Sequence, residues 1–338
     1  MWSNGINGFQ VSPYLQELQA YAGQSDNYSA AVCDLEKYLR IETNRSQTER
    51  VTKYYASELQ SVKPVLPVAQ RKLSESLKES VEQEGLVYSM IDGGMLQTRE
   101  GEKGNDWKEV KLGRIFTDLD HYELDKNHCW LKQSIYAAHL GSHKDFLCKF
   151  EPLVDILSPI NERLVFVADG APWIWNWVEE SYPKATQILD FYHAAEHLSK
   201  FAKLYYKTIE EQKNWLNKQK NALLNDEISV VIKGIEELEK RAQKSEKERN
   251  SLLNYLRNNE FRMMYKTFRD TGLFIGSGAI ESAHRTVIQK RLKQSGQRWT
   301  LDGAQKIIDL RLMNMNQQWH ELIKLIQAKE LELYKKQA

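Results

Sequence analysis

Two aspartates each follow an apolar, β-prone run and each precede glycine. Leu86–Ile91 ends in Asp92-Gly93-Gly94, and Leu164–Ala168 ends in Asp169-Gly170. A carboxylate at a sheet's carboxyl edge, beside a glycine that lets a ligand reach the backbone, suits a hard divalent cation. An Asp-Gly pair is also an ordinary turn signal, and either motif alone reads first as a turn. The two together, in the element order below, favour metal binding. Holding two cations about 4 Å apart around a phosphate calls for a third acid. The candidate is Glu281, in Gly276-Ser277-Gly278-Ala279-Ile280-Glu281-Ser282-Ala283-His284-Arg285, where a glycine-rich loop enters a helix. An ion pair from Glu281 to Arg285, worth roughly a few tenths of a kcal/mol, is the simpler reading and is compatible with metal binding. Asp118, Asp120 and Asp190 compete for the third place; the first two lie in a charged loop and rank below Asp92. The chemistry such acids would do is phosphoryl transfer assisted by two Mg²⁺ ions, with Mn²⁺ as a substitute.

Cations lie beside the third acid. Ser282 to Leu301 contains no Asp or Glu but holds Arg285, Lys290, Arg291, Lys293 and Arg298. Phosphate contacts there would give salt-dependent, largely sequence-independent DNA affinity, and a solvated helix face is the alternative. Trp299 is placed to stack on an unpaired base. His193 and His197 are spaced four apart with Glu196 between them, but no third zinc ligand is evident. His193 is instead expected to hydrogen-bond near the site, oriented by Asp190. Trp173, Trp175 and Trp177 read as core.

These residues need elements to position them. Residues 11–62 show helical periodicity, with Asn44 and Gln47 as a capping pair. Two helices joined by a short turn also fit a helix-turn-helix presenting Arg45, Gln47, Arg50 and Lys53 to DNA, or a plain helical packing unit. Pro64 and Pro67 mark a break. Three strands are expected next, over 86–91, 110–116 and 129–139, as an antiparallel meander. A helix over 142–158 and a buried strand over 164–168 follow. A Trp-rich helix then leads to a strand over 185–190. From Phe191 to about Phe268 the chain reads as charged helices, with Ile228, Val231, Ile232, Ile235 and Leu238 on one stripe. The expected class is α/β: a mixed-sheet RNase H-like core interrupted by an all-α insertion, with a small helical N-terminal unit. The corresponding boundaries are 1–70 for the helical unit, 83–193 plus 272–325 for the catalytic core, and 194–271 for the insertion.

The chain has 338 residues, 41% hydrophobic and 28% charged, with 47 bases against 46 acids. That balance excludes a disordered chain and a uniformly basic nucleic-acid coat, but not a local basic patch. No apolar run is long enough for a membrane span, and no signal peptide is expected at Met1-Trp2-Ser3-Asn4-Gly5. The three cysteines, Cys33, Cys129 and Cys148, form no close pair, which suits a reducing cytoplasm.

The motifs together resemble a known family. Val167 to Asn176, followed by Ile188 to Leu198, resembles DDE transposases of bacterial insertion sequences, of the ISKra type related to Mutator-like transposases. Ser277-Gly278-Ala279-Ile280-Glu281-Ser282 resembles their third-acid motif, and Trp107 to Gly113 resembles the strand after the first acid. The resemblance covers about residues 85–310. It implies an RNase H-like core with Asp92, Asp169 and Glu281 as the metal-binding triad, and Asp190 with His193 as an accessory pair. It further implies cleavage at transposon ends and attack of the freed 3′-OH on target DNA. The partners would be double-stranded DNA and further copies of the chain in a synaptic complex. A relative that only binds DNA, and a two-metal nuclease on the same fold, are the alternatives. Members of that group extend further at the amino terminus, so part of a DNA-binding region is expected to be absent or carried by another reading frame.

Overall fold

The computed structural model describes residues 8–62, 79, 85–100, 106–125, 128–156, 162–239 and 243–337. Its strands are β1 (Val87–Thr98), β2 (Asp106–Thr117), β3 (His121–Asp125), β4 (His128–Leu131), β5 (Ile135–Leu140), β6 (Leu164–Ala168) and β7 (Thr186–Leu189). Five of them form one mixed sheet in the order β5-β2-β1-β6-β7, while β3 and β4 pair separately. β2 and β5 run antiparallel, and β6 runs parallel to both β1 and β7. The class is therefore mixed α/β, as expected from the alternation of apolar runs with helical segments.

Two strand boundaries differ from expectation. β1 does not end at Asp92 but continues through Gly93 and Gly94 to Thr98. Asp92-Gly93 is thus extended strand, not a turn. Only Val87–Ile91 pair with Leu164–Ala168, so Asp92 stands where β1 outruns its parallel neighbour. The run expected as one strand over 129–139 is two strands in different sheets, β4 and β5, separated by Lys132–Ser134.

The chain divides into two compact units. The first comprises Met1–Gly85, Gly93–Pro159 and Ile280–Ala338, and the second Leu86–Asp92 and Ile160–Ala279. In the first unit, helices α1 (Pro13–Ser25), α2 (Tyr28–Leu39) and α3 (Arg45–Val62) precede the sheet, and α4 (His143–Asp155) follows β5. Asn44 caps α3 by accepting from the Gln47 amide at 2.9 Å, as the sequence signals. α4 packs on β2 at Gly113, where a Cβ would overlap the Phe150 ring. That close approach, not a turn, requires the glycine.

The second unit holds β6, buried along its whole length, and β7. Helix α5 (Pro172–Ser181) lies between them in sequence. Trp175 and Trp177 are 3% and 7% exposed and belong to the core, as expected. Phe166 of β6 meets Trp177 edge-on, with ring centroids 5.6 Å apart. Then come α6 (Phe191–Tyr205), α7 (Ile209–Leu223), α8 (Ile228–Glu236), α9 (Gln243–Asn258) and α10 (Tyr265–Asp270). Ile228, Val231 and Ile235 bury the predicted stripe of α8. Arg262 locks this helical block to α5: its guanidinium lies 4.5 Å over the Trp175 ring, pairs with Glu179, and donates to Gln187 Oε1 at 2.8 Å.

The chain returns to the first unit through α11 (Gly278–Ala283), a π turn over His284–Gln289 and α12 (Lys290–Leu292). It ends in α13 (Leu301–Met315) and α14 (Trp319–Gln337). Ala20, Val51, Tyr55, Leu59, Leu310 and Ile323 form a common core of α1, α3, α13 and α14. The residues expected to form a DNA-reading helix pair thus also build a packed bundle, and Arg50 lies 5.4 Å over the Phe9 ring. Among the described residues no helix is long and apolar enough to cross a membrane.

Candidate functional site

The second unit carries the two strand-borne aspartates. Ile91 and Ala168 are register partners in parallel strands, so Asp92 and Asp169 leave the same edge side by side. Neighbouring strands are about 4.8 Å apart, which sets the two backbones within reach of one cation. Both residues are partly exposed. Asp169 is pinned twice: Trp175 Nε1 donates to its backbone carbonyl at 2.8 Å, and its carboxylate accepts from the Ala171 amide at 3.0 Å. Gly170 is required by a neighbour, because a Cβ there would overlap the Tyr255 ring of α9. The Tyr255 hydroxyl is buried and has no hydrogen-bond partner among the described residues. Burial, then the charges of Asp169 and Asp190, push its ionisation far above the usual tyrosine range.

Behind the aspartates lies the expected accessory pair. Asp190 is fully buried. Its amide donates to the Ala168 carbonyl at 2.8 Å, joining it to the end of β6. As the N-cap of α6, its carboxylate accepts from the Tyr192 amide at 2.8 Å and from His193 Nδ1 at 2.6 Å. The Ser277 hydroxyl supplies a third bond. Ser277 is held there because the Phe191 amide donates to the Ile275 carbonyl at 3.0 Å, while Phe274 packs 4.7 Å from Tyr88 of β1. The hydrogen bond to Asp190 raises the His193 pKa to about 9; burial opposes this, and the charges of Asp190, Asp92 and Asp169 add to it. At neutral pH His193 is therefore an imidazolium facing the aspartates.

Glu281 belongs to the first unit. It is partly exposed in the opening turn of α11. His284, one turn later, is buried against Gly94 of β1, where a Cβ would come within 3.1 Å of its ring. Glu109 of β2 covers Gly93 and pairs with Lys111 at 2.6 Å.

Among the described residues, no group of three or more His, Cys, Asp or Glu side chains is gathered closely enough to hold a metal. Asp92 and Asp169 are the carboxylates at this strand edge that could hold a hard cation such as Mg²⁺, which one or two carboxylates suit.

The expected DNA-binding residues separate into two groups. Arg285, Lys290, Lys293 and Arg298 are exposed. Arg291 is 1% exposed, which corrects its expected place on that face. It donates through Nε to the Gly23 carbonyl at 2.9 Å and lies 4.9 Å over Tyr28 and 5.1 Å over Trp299. Trp299 is committed as well: its indole donates to the Leu292 carbonyl at 3.0 Å, and its backbone bridges to Thr98 at the end of β1. Its ring is partly exposed.

Two features had no clear signal in the sequence. Tyr255 and Ser277 reach the site from segments distant in the chain. A groove of about 940 Å³ lies between α6 and α9, lined by Lys200, Lys203, Lys244 and Lys247 with Glu196 and Glu248. Its lysines come from two helices, so no single run of sequence announces it.

No curated protein matches the chain. Residues 154–325, just over half of it and including Asp169, Asp190, His193 and Glu281, match an uncharacterised protein family, UPF0236. The chain belongs to that family.

Proposed function

We propose that the protein is a DDE-type transposase with an RNase H-like core. The reading rests chiefly on one observation: Asp92 and Asp169 stand side by side at the edge of paired parallel strands, backed by the Asp190–His193 pair. The strand order, in which β6 and β7 run parallel beyond β1, supports the same reading. The family match supplies no activity and leaves the reading to the site.

The residues have separable tasks. A divalent cation, when bound, would supply Lewis-acid stabilisation of the phosphate oxygens. Asp92 and Asp169 would hold it, with Glu281 as the third carboxylate by resemblance. Trp175 fixes the backbone that carries Asp169. Asp190 fixes the His193 ring through Nδ1 and keeps it protonated, so its positive charge offsets the carboxylates and attracts phosphate. Arg285, Lys290, Lys293 and Arg298 would contact the DNA backbone. No covalent protein–DNA bond is needed, because water and then the 3′-OH are the nucleophiles.

The test is strand transfer with magnesium and the DNA termini that flank the gene. Joined product is expected. Cutting without joining would identify a nuclease instead, and retention without cutting would identify a DNA-binding protein.

A further inference from the structure

A second candidate site lies wholly within the first unit. A cavity of about 420 Å³ opens where the start of α2, the face of α3, the end of β1 and the loop into α13 meet. That volume lies in the range of small-ligand sites. Its floor is Arg291, buried and sandwiched against Tyr28 and Trp299. Nε of Arg291 is used by Gly23 and the guanidinium hydrogen-bonds the Tyr28 hydroxyl, while Nη2 is buried and has no hydrogen-bond partner among the described residues. A buried guanidinium nitrogen without an acceptor is costly, and an anion would satisfy it.

The wall around it is cationic. Arg45, Arg99 and Arg298 line the cavity and make no ion pair among the described residues. Arg99 Nε donates to the Arg298 carbonyl at 3.1 Å, which holds two of them together. Lys53 and Lys306 also line it, each held by an acid, Glu49 at 2.6 Å and Asp302 at 2.7 Å. Glu49 is the one acid in the lining. The first turns of α2 and α13, with Asn27 and Thr300 as their caps, border the cavity and add their positive dipole ends.

We infer that this cavity is a binding site for a phosphate group carried by a nucleotide. Arg291 would supply its innermost positive charge, and Arg45, Arg99 and Arg298 its mouth. Arginine suits this task because its planar fork matches phosphate oxygens. The phosphate has two sources, a free nucleotide or a nucleic-acid strand. The inference stands apart from the carboxylate chemistry.

Calorimetric titration in EDTA, which silences any cation-dependent reaction, tests it. The probes are pyrophosphate, dATP and a short single-stranded oligonucleotide. Arg45→Glu/Arg298→Glu changes only exposed side chains and should lower affinity about tenfold or more, as expected for lost charge-assisted bonds. Arg291→Lys, which keeps the charge and loses the fork, should weaken binding too. Lys213→Glu/Lys218→Glu, on exposed α7 in the other unit, should leave affinity for pyrophosphate and dATP unchanged. Binding of dATP and pyrophosphate that follows this pattern assigns a free nucleotide; binding of the oligonucleotide alone that follows it assigns a strand. No binding of any probe, or equal losses in both double variants, would overturn the inference. Failure of strand transfer with this pattern intact would count against the transposase reading alone.

Discussion

Asp190 is a fully buried carboxylate, and its partners explain how it can be there. An unpaired buried charge is costly, but this one is satisfied by a backbone amide, a hydroxyl and an imidazolium. The consequence is measurable. With its pKa raised from 6.5 to about 9, His193 contributes stability that is fully present below pH 6.5 and is lost as pH rises through about 9. NMR titration of the metal-free protein should place the His193 midpoint near pH 9. In Asp190→Asn it should fall to the ordinary histidine range or below, because burial then dominates. Equal midpoints in the two proteins would show that Asp190 does not govern this ring. The i,i+3 spacing of Asp190 and His193 made the pair legible in the sequence. Ser277 and Tyr255 were not legible there, because they reach Asp190 and Gly170 through tertiary packing. Arg291 was misread for a related reason: the cationic run gives its charge but not that Tyr28 and Gly23 enclose it.

At the scale of elements, the edge that carries Asp169 depends on aromatic cover from α5 and α9. Trp175 holds its carbonyl, and the Tyr255 ring occupies the space beside Gly170. Gly170→Ala should therefore destabilise the protein by about 1–3 kcal/mol, because a rigid ring must shift to admit the methyl group. Chemical denaturation measures this, and an unchanged midpoint would mean the ring yields freely. Local patterns gave the apolar strands 110–116, 164–168 and 185–190 and the helices between them. They did not give the full length of β1, because Gly93 and Gly94 are turn signals that sheet pairing overrides. They also did not separate β4 from β5, since pairing partners, not propensity, decide which sheet a strand joins.

For the whole molecule, the near-equality of 47 bases and 46 acids conceals an uneven distribution. The exposed cations after Glu281, the lysine groove between α6 and α9, and the arginine cavity are each local positive fields. Lys290→Ala/Lys293→Ala should weaken DNA binding and reduce the steepness of its salt dependence by up to about two counterions. An unchanged slope would remove both lysines from the interface. The central claim is that Asp92 and Asp169 carry phosphoryl-transfer chemistry. The direct measurement compares magnesium-dependent cleavage and joining of transposon-end DNA by the wild type, Asp92→Asn and Asp169→Asn, with DNA retention read in the same reactions. The account predicts that both variants retain DNA and lose cleavage and joining together. Near-normal cleavage by either variant would contradict it.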